Sequence, residues 1–308
     1  PAVYRAAMSE ASFVETVDPS AVFAAVADDT RIDILRALWE MDDHRATFSE
    51  LREAVGMRDS GQFNYHLDKL TDRFVRKSDG VYRLTLAGER VHGAVLSGAY
   101  TMSGDLAPVG LDDPCPSCGG SRTLTYEYDR VLVECDGCDL TATAGIPPGV
   151  FADRPEESVP DVADRYFRAT VQEFDAGFCQ SCEGRVEPSV TSVADLAEKT
   201  PPDDRRDFPM VQYTCKRCGS ELVTDLGIAV VDHPAVAGFY YDHGVNVREE
   251  SFWDLVVWDD EGSWIESEDP FRAAVRHEVD GGTITVVVDD SLEVVAVDRS
   301  GERDRREP

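Results

Sequence analysis

Apolar positions recur at helical spacing through the first hundred residues and then give way to alternating, strand-like segments. Asp18-Pro19-Ser20 opens a helix with Val22, Phe23 and Val26 on one face, because aspartate caps well and proline fits the first turn. Asp28-Asp29-Thr30 caps a second helix whose stripe is Ile32, Leu35, Leu38 and Trp39, with Ile34 beside it. Thr47-Phe48-Ser49-Glu50 has the order of a capping box and starts a short third helix, FSELREAV, which Gly56 ends. Asp59-Ser60 begins a fourth, running to about Arg73 and burying Phe63, Leu67 and Leu70. Val75 to Leu84 then reads as strand, Asp79-Gly80 turn, strand, and a final helix runs from Leu86 to about Tyr100.

Short helix, tight turn, helix and small hairpin, in that order, is the pattern of a winged helix-turn-helix, placed at residues 18–100. Residues 1–17 read as an unanchored lead-in, and Ser103 to Pro114 as a linker rich in Gly, Pro and Asp. Farther on, Pro160 to Phe174 is an amphipathic helix anchored by Val162, Tyr166, Val171 and Phe174. Ser192 to Arg206 reads as a short helix, VADLAEK, and a Pro- and charge-rich loop. HPAVAGFYYDHGVNV is helix-like, SFWDLVVW is apolar and aromatic, and Arg272–Val279, Thr283–Val288 and Glu293–Val297 predict a three-stranded meander before a polar tail, Arg299–Pro308.

The cysteines sharpen this picture. All eight fall into Cys-x-x-Cys knuckles: Cys115/Cys118, Cys135/Cys138, Cys179/Cys182 and Cys215/Cys218. Each knuckle offers two thiolates to one tetrahedral ion, and two knuckles complete a four-sulfur shell, so two zinc ions per chain are expected. Sequential pairing is the simplest arrangement, with 16 residues between the first two knuckles and 32 between the second two. Gly119, Gly184 and Gly219 follow knuckles where a positive φ is wanted, and Thr123 to Glu134 alternates as in a zinc ribbon. Closed all-sulfur shells are staples; catalytic zinc keeps an open position. No signal-peptide pattern is visible and the chain is long enough to build cores, so disulfides are not expected and the compartment is read as cytoplasmic. The fold class is therefore α+β and multidomain. A winged helix-turn-helix at 18–100 is followed by a first four-cysteine ribbon at 111–150, a helix plus second four-cysteine unit at 158–225, and a C-terminal α+β region at 226–300.

Charge changes the reading of partners. The chain has 60 acidic and 30 basic residues, a net charge of −30, and only four of the bases are lysines: Lys69, Lys77, Lys199 and Lys216. The acid is spread through apolar-periodic sequence around normal cores, which reads as adaptation to strong salt, where the Debye length falls to ~3 Å at 1 M. It is uneven. Residues 18–100 carry 14 acids and 11 bases, residues 101–308 carry 44 and 18. A nearly neutral module in an acidic protein is where nucleic acid would be met. There is no run of 18 apolar residues, so no membrane-spanning helix is expected.

ADDTRIDILRALWE, FSELREAVG, GQFNYHLDKL and the hairpin after them resemble the arsenical-resistance-repressor (ArsR-type) winged-helix regulators, particularly those of halophilic archaea. The resemblance covers residues 18–100; the remainder is similar to the zinc-ribbon extension of some of those proteins. It implies that the helix starting near Ser60 enters the major groove of double-stranded DNA. Carried over by position, Ser60, Gln62, Asn64 and Tyr65 would meet base edges or phosphates, and Lys69, Arg76, Lys77 and Arg83 the backbone. It also implies a homodimer joined through the helices at Ser20–Ala27 and Leu86–Tyr100. Metal-sensing members carry Cys in the helix matching FSELREAVG, or His and acids in the last helix. Here the first has no Cys and the second offers only Glu89 and His92, so no inducer-metal site is carried over.

Other chemistry is sparse. His66 reads as a packing or phosphate-contact histidine rather than a ligand. His233 and His243, with Asp232 and Asp242, are ten apart, which is no helical-face repeat, so a third metal site is disfavoured. Phe239, Tyr240, Tyr241, Phe252, Trp253, Trp258 and Trp264 read as core or pocket lining. No phosphate loop and no nucleophile–base constellation is present, so an enzyme is not expected. The leading expectation is a sequence-specific DNA-binding regulator stabilised by zinc, answering to a small-molecule or protein effector. The alternatives are a protein-interaction adaptor of the transcription machinery and a redox or metal sensor working through a four-cysteine site.

Overall fold

The computed structural model describes residues 16–138, 141–196, 206–255, 257 and 261–300. These form two compact units, 16–103 with 147–152, and 104–146 with 153–300. Trp258, most of the 1–17 lead-in, residues 197–205 of the loop and 301–308 of the tail lie outside the described residues.

The first unit runs α1 (Pro19–Val26), α2 (Asp29–Glu40), β1 (Arg45–Thr47), α3 (Phe48–Ala54), α4 (Ser60–Leu70), β2 (Val75–Ser78), β3 (Val81–Leu84) and α5 (Leu86–Leu96). The caps are where the sequence puts them. Asp18 and Asp28 accept backbone N–H bonds at the starts of α1 and α2, and Thr47 and Glu50 form a reciprocal capping box on α3. Asp79 and Gly80 both have positive φ (53° and 79°), the backbone of a type I′ hairpin turn between β2 and β3. Ile34, Leu35 and Leu38 of α2 meet Leu51, Phe63, Leu67, Leu70, Val75 and Tyr82 in one core.

Several expectations need correction. Helix α4 stops at Leu70 rather than Arg73, because the Thr71 hydroxyl bonds the Leu67 carbonyl (2.8 Å) and Asp72 turns left-handed (φ 72°). Helix α5 stops at Leu96 rather than Tyr100, where Gly98 reverses the chain (φ 73°). Strand β1 was not expected; it pairs with β3, making a sheet in the order β1-β3-β2. Phe23, assigned to a buried face, is 71% exposed, and Trp39 lies at the rim of the core, stacked on His44 at 4.4 Å.

The second unit repeats one construction. Strands β4 (Leu106–Leu111), β5 (Arg122–Glu127), β6 (Arg130–Cys135) and β7 (Thr141–Gly145) form an antiparallel meander. After α6 (Val159–Asp175), strands β8 (Val186–Ser192), β9 (Pro209–Cys215) and β10 (Glu221–Asp225) form another, with α7 (Val193–Leu196) between β8 and β9. Then come α8 (Leu226–Val230), α9 (Pro234–Asp242), α10 (Phe252–Leu255) and a sheet of β11 (Ser263–Glu268), β12 (Phe271–Val279), β13 (Gly282–Val288) and β14 (Val294–Ser300). That sheet has four strands rather than the expected three. One buried cluster extends from Val171 to Val288, so the stretches 158–225 and 226–300 share a core. Phe239, Tyr240, Phe252 and Trp253 are buried as expected, whereas Tyr241 is 78% exposed. No described helix is long and apolar enough to cross a membrane.

Two buried titratable groups give this core opposed responses to pH. His277 is 1% exposed and its Nδ1 lies 3.1 Å from the Tyr240 hydroxyl; burial pushes its pKa from 6.5 down to about 4. Asp225 caps α8 by accepting the Ile228 N–H at 3.0 Å; burial pushes its pKa from 3.8 up to about 6. Below pH 6.5 the unfolded chain binds the histidine proton that the folded chain refuses. Stability from neutral His277 is therefore present above 6.5 and lost as pH falls toward 4. For Asp225 the folded chain holds the extra proton, so its contribution is present below 3.8 and lost as pH rises through 6. The two slopes offset in the wild type. Urea-unfolding midpoints should separate them: relative to wild type, His277→Gln gains as pH falls from ~7 to ~5 and Asp225→Asn gains as it rises, each by about 1–2 kcal/mol. Metal terms cancel in that difference. Two differences of the same sign would refute the assignment.

Candidate metal centres and nucleic-acid interface

Each cysteine group is built by two turns that flank a pair of strands. Cys115 and Cys118 lie in the turn before β5; Cys135 ends β6 and Cys138 lies in the turn that follows. Cys179 and Cys182 lie in the turn before β8; Cys215 ends β9 and Cys218 follows. The registers match too, with Cys135 opposite Arg122 and Cys215 opposite Val186, each partner being the first residue of its strand. Turn hydrogen bonds repeat: Gly119 N–H to Cys115 carbonyl (2.8 Å), Glu183 to Cys179 (2.8 Å) and Gly219 to Cys215 (3.0 Å).

The sulfurs converge identically in both groups. First and fourth are 3.7 Å apart (Cys115–Cys138, Cys179–Cys218), second and third 3.5 Å apart (Cys118–Cys135, Cys182–Cys215). Four sulfurs bonded to one central ion at ~2.3 Å in a tetrahedron would stand about 3.8 Å apart, whereas a disulfide needs ~2 Å. All eight cysteines are free, and within each group the ligand atoms lie within 4.8 Å of one another, so each group could hold one tetrahedral metal ion. Backbone N–H groups of Gly120, Gly137 and Arg217 point at the Cys118, Cys135 and Cys215 sulfurs at 3.3–3.4 Å.

Glycine placement differs from expectation at one position. Gly119 (φ 72°) and Gly219 (φ 74°) are left-handed, but in the second group that conformation falls on Glu183 (φ 56°), not Gly184. Gly184 is needed for space: a Cβ there would lie 3.0 Å from the sulfurs of Cys182 and Cys215, and one on its counterpart Gly120 would lie 3.2 Å from the Cys118 sulfur. The CPSCGG and CQSCEG motifs share only the second of those glycine positions, which is the available signal.

His233 and His243 do not join a third centre. His233 accepts the Ala235 N–H at the start of α9, and His243 Nδ1 lies 2.8 Å from the Phe239 carbonyl at its end. Among the described residues, only the two cysteine groups could hold a metal.

On the first unit, Ser60, Gln62, Asn64, Tyr65 and Lys69 are all exposed along α4, opposite the buried stripe Phe63, His66, Leu67 and Leu70. Asp59 caps this helix by accepting from Gly61 (2.8 Å) and Gln62 (3.0 Å), bonds that hold its carboxyl below the usual range. The exposed arc is not uniformly free. Asn64 donates to Asp68 at 2.7 Å, and Lys69 Nζ lies 5.5 Å from the Tyr65 ring centre. His66 is buried with Nδ1 3.2 Å from Asp28, so it packs α4 against the start of α2.

Strand alternation divides the remaining candidates. Arg76 faces Arg83 across the hairpin, while Lys77 faces Tyr82 and lies over its ring at 5.0 Å, on the other side of the sheet. Arg45, which periodicity could not reveal, stands opposite Arg83 on β1. Arg45, Arg83 and Arg76 therefore form an exposed row across three strands. Like charges directly opposite are unfavourable in a sheet; Asp43 meets Arg45 at 2.9 Å at one end of the row, and a further anion would relieve the rest.

Residues 112–294 match the family described as Domain of unknown function (DUF7351), and residues 19–95 match Domain of unknown function (DUF7347). No curated protein and no solved structure matches the chain.

Proposed function

The chain belongs to the DUF7351 family, and from that premise we propose that it is a sequence-specific, double-stranded-DNA-binding transcription regulator stapled by two zinc ions. The single observation that carries the reading is that one unit, nearly neutral in an acidic chain, bears both an exposed polar helix face on α4 and an exposed arginine row. In this reading α3, α4 and the β2–β3 hairpin act as a winged helix-turn-helix. Helix α4 enters the major groove, Gln62 and Tyr65 meet base edges, and Arg45, Arg76 and Arg83 meet phosphates. Tyr65 is 54% exposed, and its ring offers a thymine methyl an apolar contact.

Dimerisation is supported by exposed apolar side chains on α1 and α5: Phe23 (71%), Leu86 (67%) and Leu96 (55%). Patches of this kind mark contact surfaces. The two cysteine groups act as zinc ribbons that stiffen the larger unit as an effector platform, and the dense carboxylates keep the chain soluble in strong salt. The test is recovery of bound genomic fragments from cells, with wild type and a Gln62→Ala/Tyr65→Ala variant. A shared sequence motif in the wild-type set, lost in the variant, is expected. Recovery of no common motif, with proteins of the transcription machinery co-purifying in both, would favour an adaptor instead.

A further inference from the structure

The larger unit contains a cavity of about 250 Å³ between the first four-stranded sheet and the elements that follow it. Val133 and Ala142 form one wall; Met210, Ile228, Phe167 and Trp253 form the other. The walls are chiefly apolar, and the Phe167 and Trp253 rings lie nearly parallel (9°) with centres 6.1 Å apart. A flat ring entering here would extend an existing aromatic layer.

The buried charged groups of the wall, Arg122 and Asp225, are engaged by the protein itself. Buried Arg122 donates to the Asp113 carbonyl (3.2 and 3.1 Å) and to the Trp253 carbonyl (3.0 Å). Asp225 is occupied as the cap of α8. A charged guest would leave water to meet groups already bonded elsewhere, which disfavours it. The exposed carboxylate of Glu134, also in the wall, disfavours an anion further.

We propose that this cavity binds one small, neutral, planar aromatic molecule of one or two fused rings. The inference does not rest on the DNA-binding reading. Such ligands have few atoms, so Kd is expected between micromolar and about a millimolar.

The protein has five methionines, of which Met210 alone among the described residues lines the cavity, so methyl-¹³C-methionine NMR reports on the site directly. Metal-loaded full-length protein is titrated with quinoline, and in parallel with 2-naphthoate as the anionic comparison. Quinoline should shift the Met210 signal saturably, assigned through Met210→Leu, while the other methionine signals stay in place. Ala142→Phe and Val223→Trp, which fill the cavity from opposite walls, should each weaken binding at least tenfold with metal content unchanged. A Met210 signal that stays put to the solubility limit of quinoline overturns the proposal. So does equal binding by both variants, or 2-naphthoate binding as tightly as quinoline.

Discussion

Cys215→Ser should cost the protein one of its two metal ions and unfold the Val171–Val288 core of the larger unit, while the first cysteine group keeps its ion and the smaller unit stays intact. Cys215 ends the central strand of its sheet, is 1% exposed, and belongs with Cys179 to the buried cluster that extends from Val171 to Val288. A structural zinc site contributes roughly 10–16 kcal/mol of apparent binding energy, which is folding energy because no site exists in the unfolded chain. Typical domains have only about 5–15 kcal/mol of net stability, so losing one such ion is comparable to or larger than the reserve. The smaller unit has its own core around Ile34, Leu35 and Leu67 and draws nothing from the cysteines. Cys118→Ser is the informative comparison. Cys118 is exposed and the first group lies outside the shared cluster, so that variant should lose one metal and loosen β4–β7 while the Val171–Val288 core persists. Metal content by mass spectrometry, with amide NMR of both variants, reads the outcome. A Cys215→Ser protein that keeps well-dispersed amide signals throughout the larger unit would remove the staple role.

The cysteine groups were legible because ligand chemistry is local: spacing within and between knuckles limits which sulfurs can meet, and the sequential pairing follows. Caps were legible for the same reason. Asp18, Asp28, Thr47 and Asp59 each satisfy N–H groups two or three residues away, and Asp79-Gly80 has the residues that a left-handed turn demands. What escaped depends on distant partners. Strand β1 is three residues long, too short for a period, and exists because β3 offers it an edge. Strand β11 breaks its alternation with an irregularity between Ile265 and Ser267, so its pairing with β12 is hidden in a linear reading. Phe23 has the spacing of a core residue, but its helix has no buried residue in the single chain. Gly184 was assigned a backbone role when its role is steric, since only the placed sulfurs reveal the lack of room. The cavity wall draws on β6, β7, β9 and α6 together, and no local pattern announces that convergence.

Replacing Arg45, Arg76 and Arg83 together with glutamine should weaken DNA binding strongly in dilute salt and hardly at all in concentrated salt. If each arginine neutralises one phosphate, the binding constant carries a factor that falls as the salt concentration to about the power 0.9 per contact. Three contacts then amount to about 80-fold at 0.2 M monovalent salt and vanish near 1 M, so the slope of log K against log salt becomes shallower by about 2.7 per protomer. Gln62→Ala/Tyr65→Ala should behave oppositely. Base contacts of about 1–3 kcal/mol each discriminate sequence, so that variant should lose preference for the recovered motif at every salt concentration with its slope unchanged. The arginine variant is not a folding defect in disguise. Arg83 lies directly opposite both Arg45 and Arg76, and removing like charges in register relieves repulsion, so its thermal midpoint should hold or rise. Lys77→Gln supplies the internal control, because its side chain faces Tyr82 on the other side of the hairpin and should change the slope little. Fluorescence anisotropy on a recovered fragment from 0.2 to 1 M salt, roughly the range over which the counterion effect fades, measures all three. Parallel lines for wild type and the triple variant would mean that the arginine row meets no phosphate.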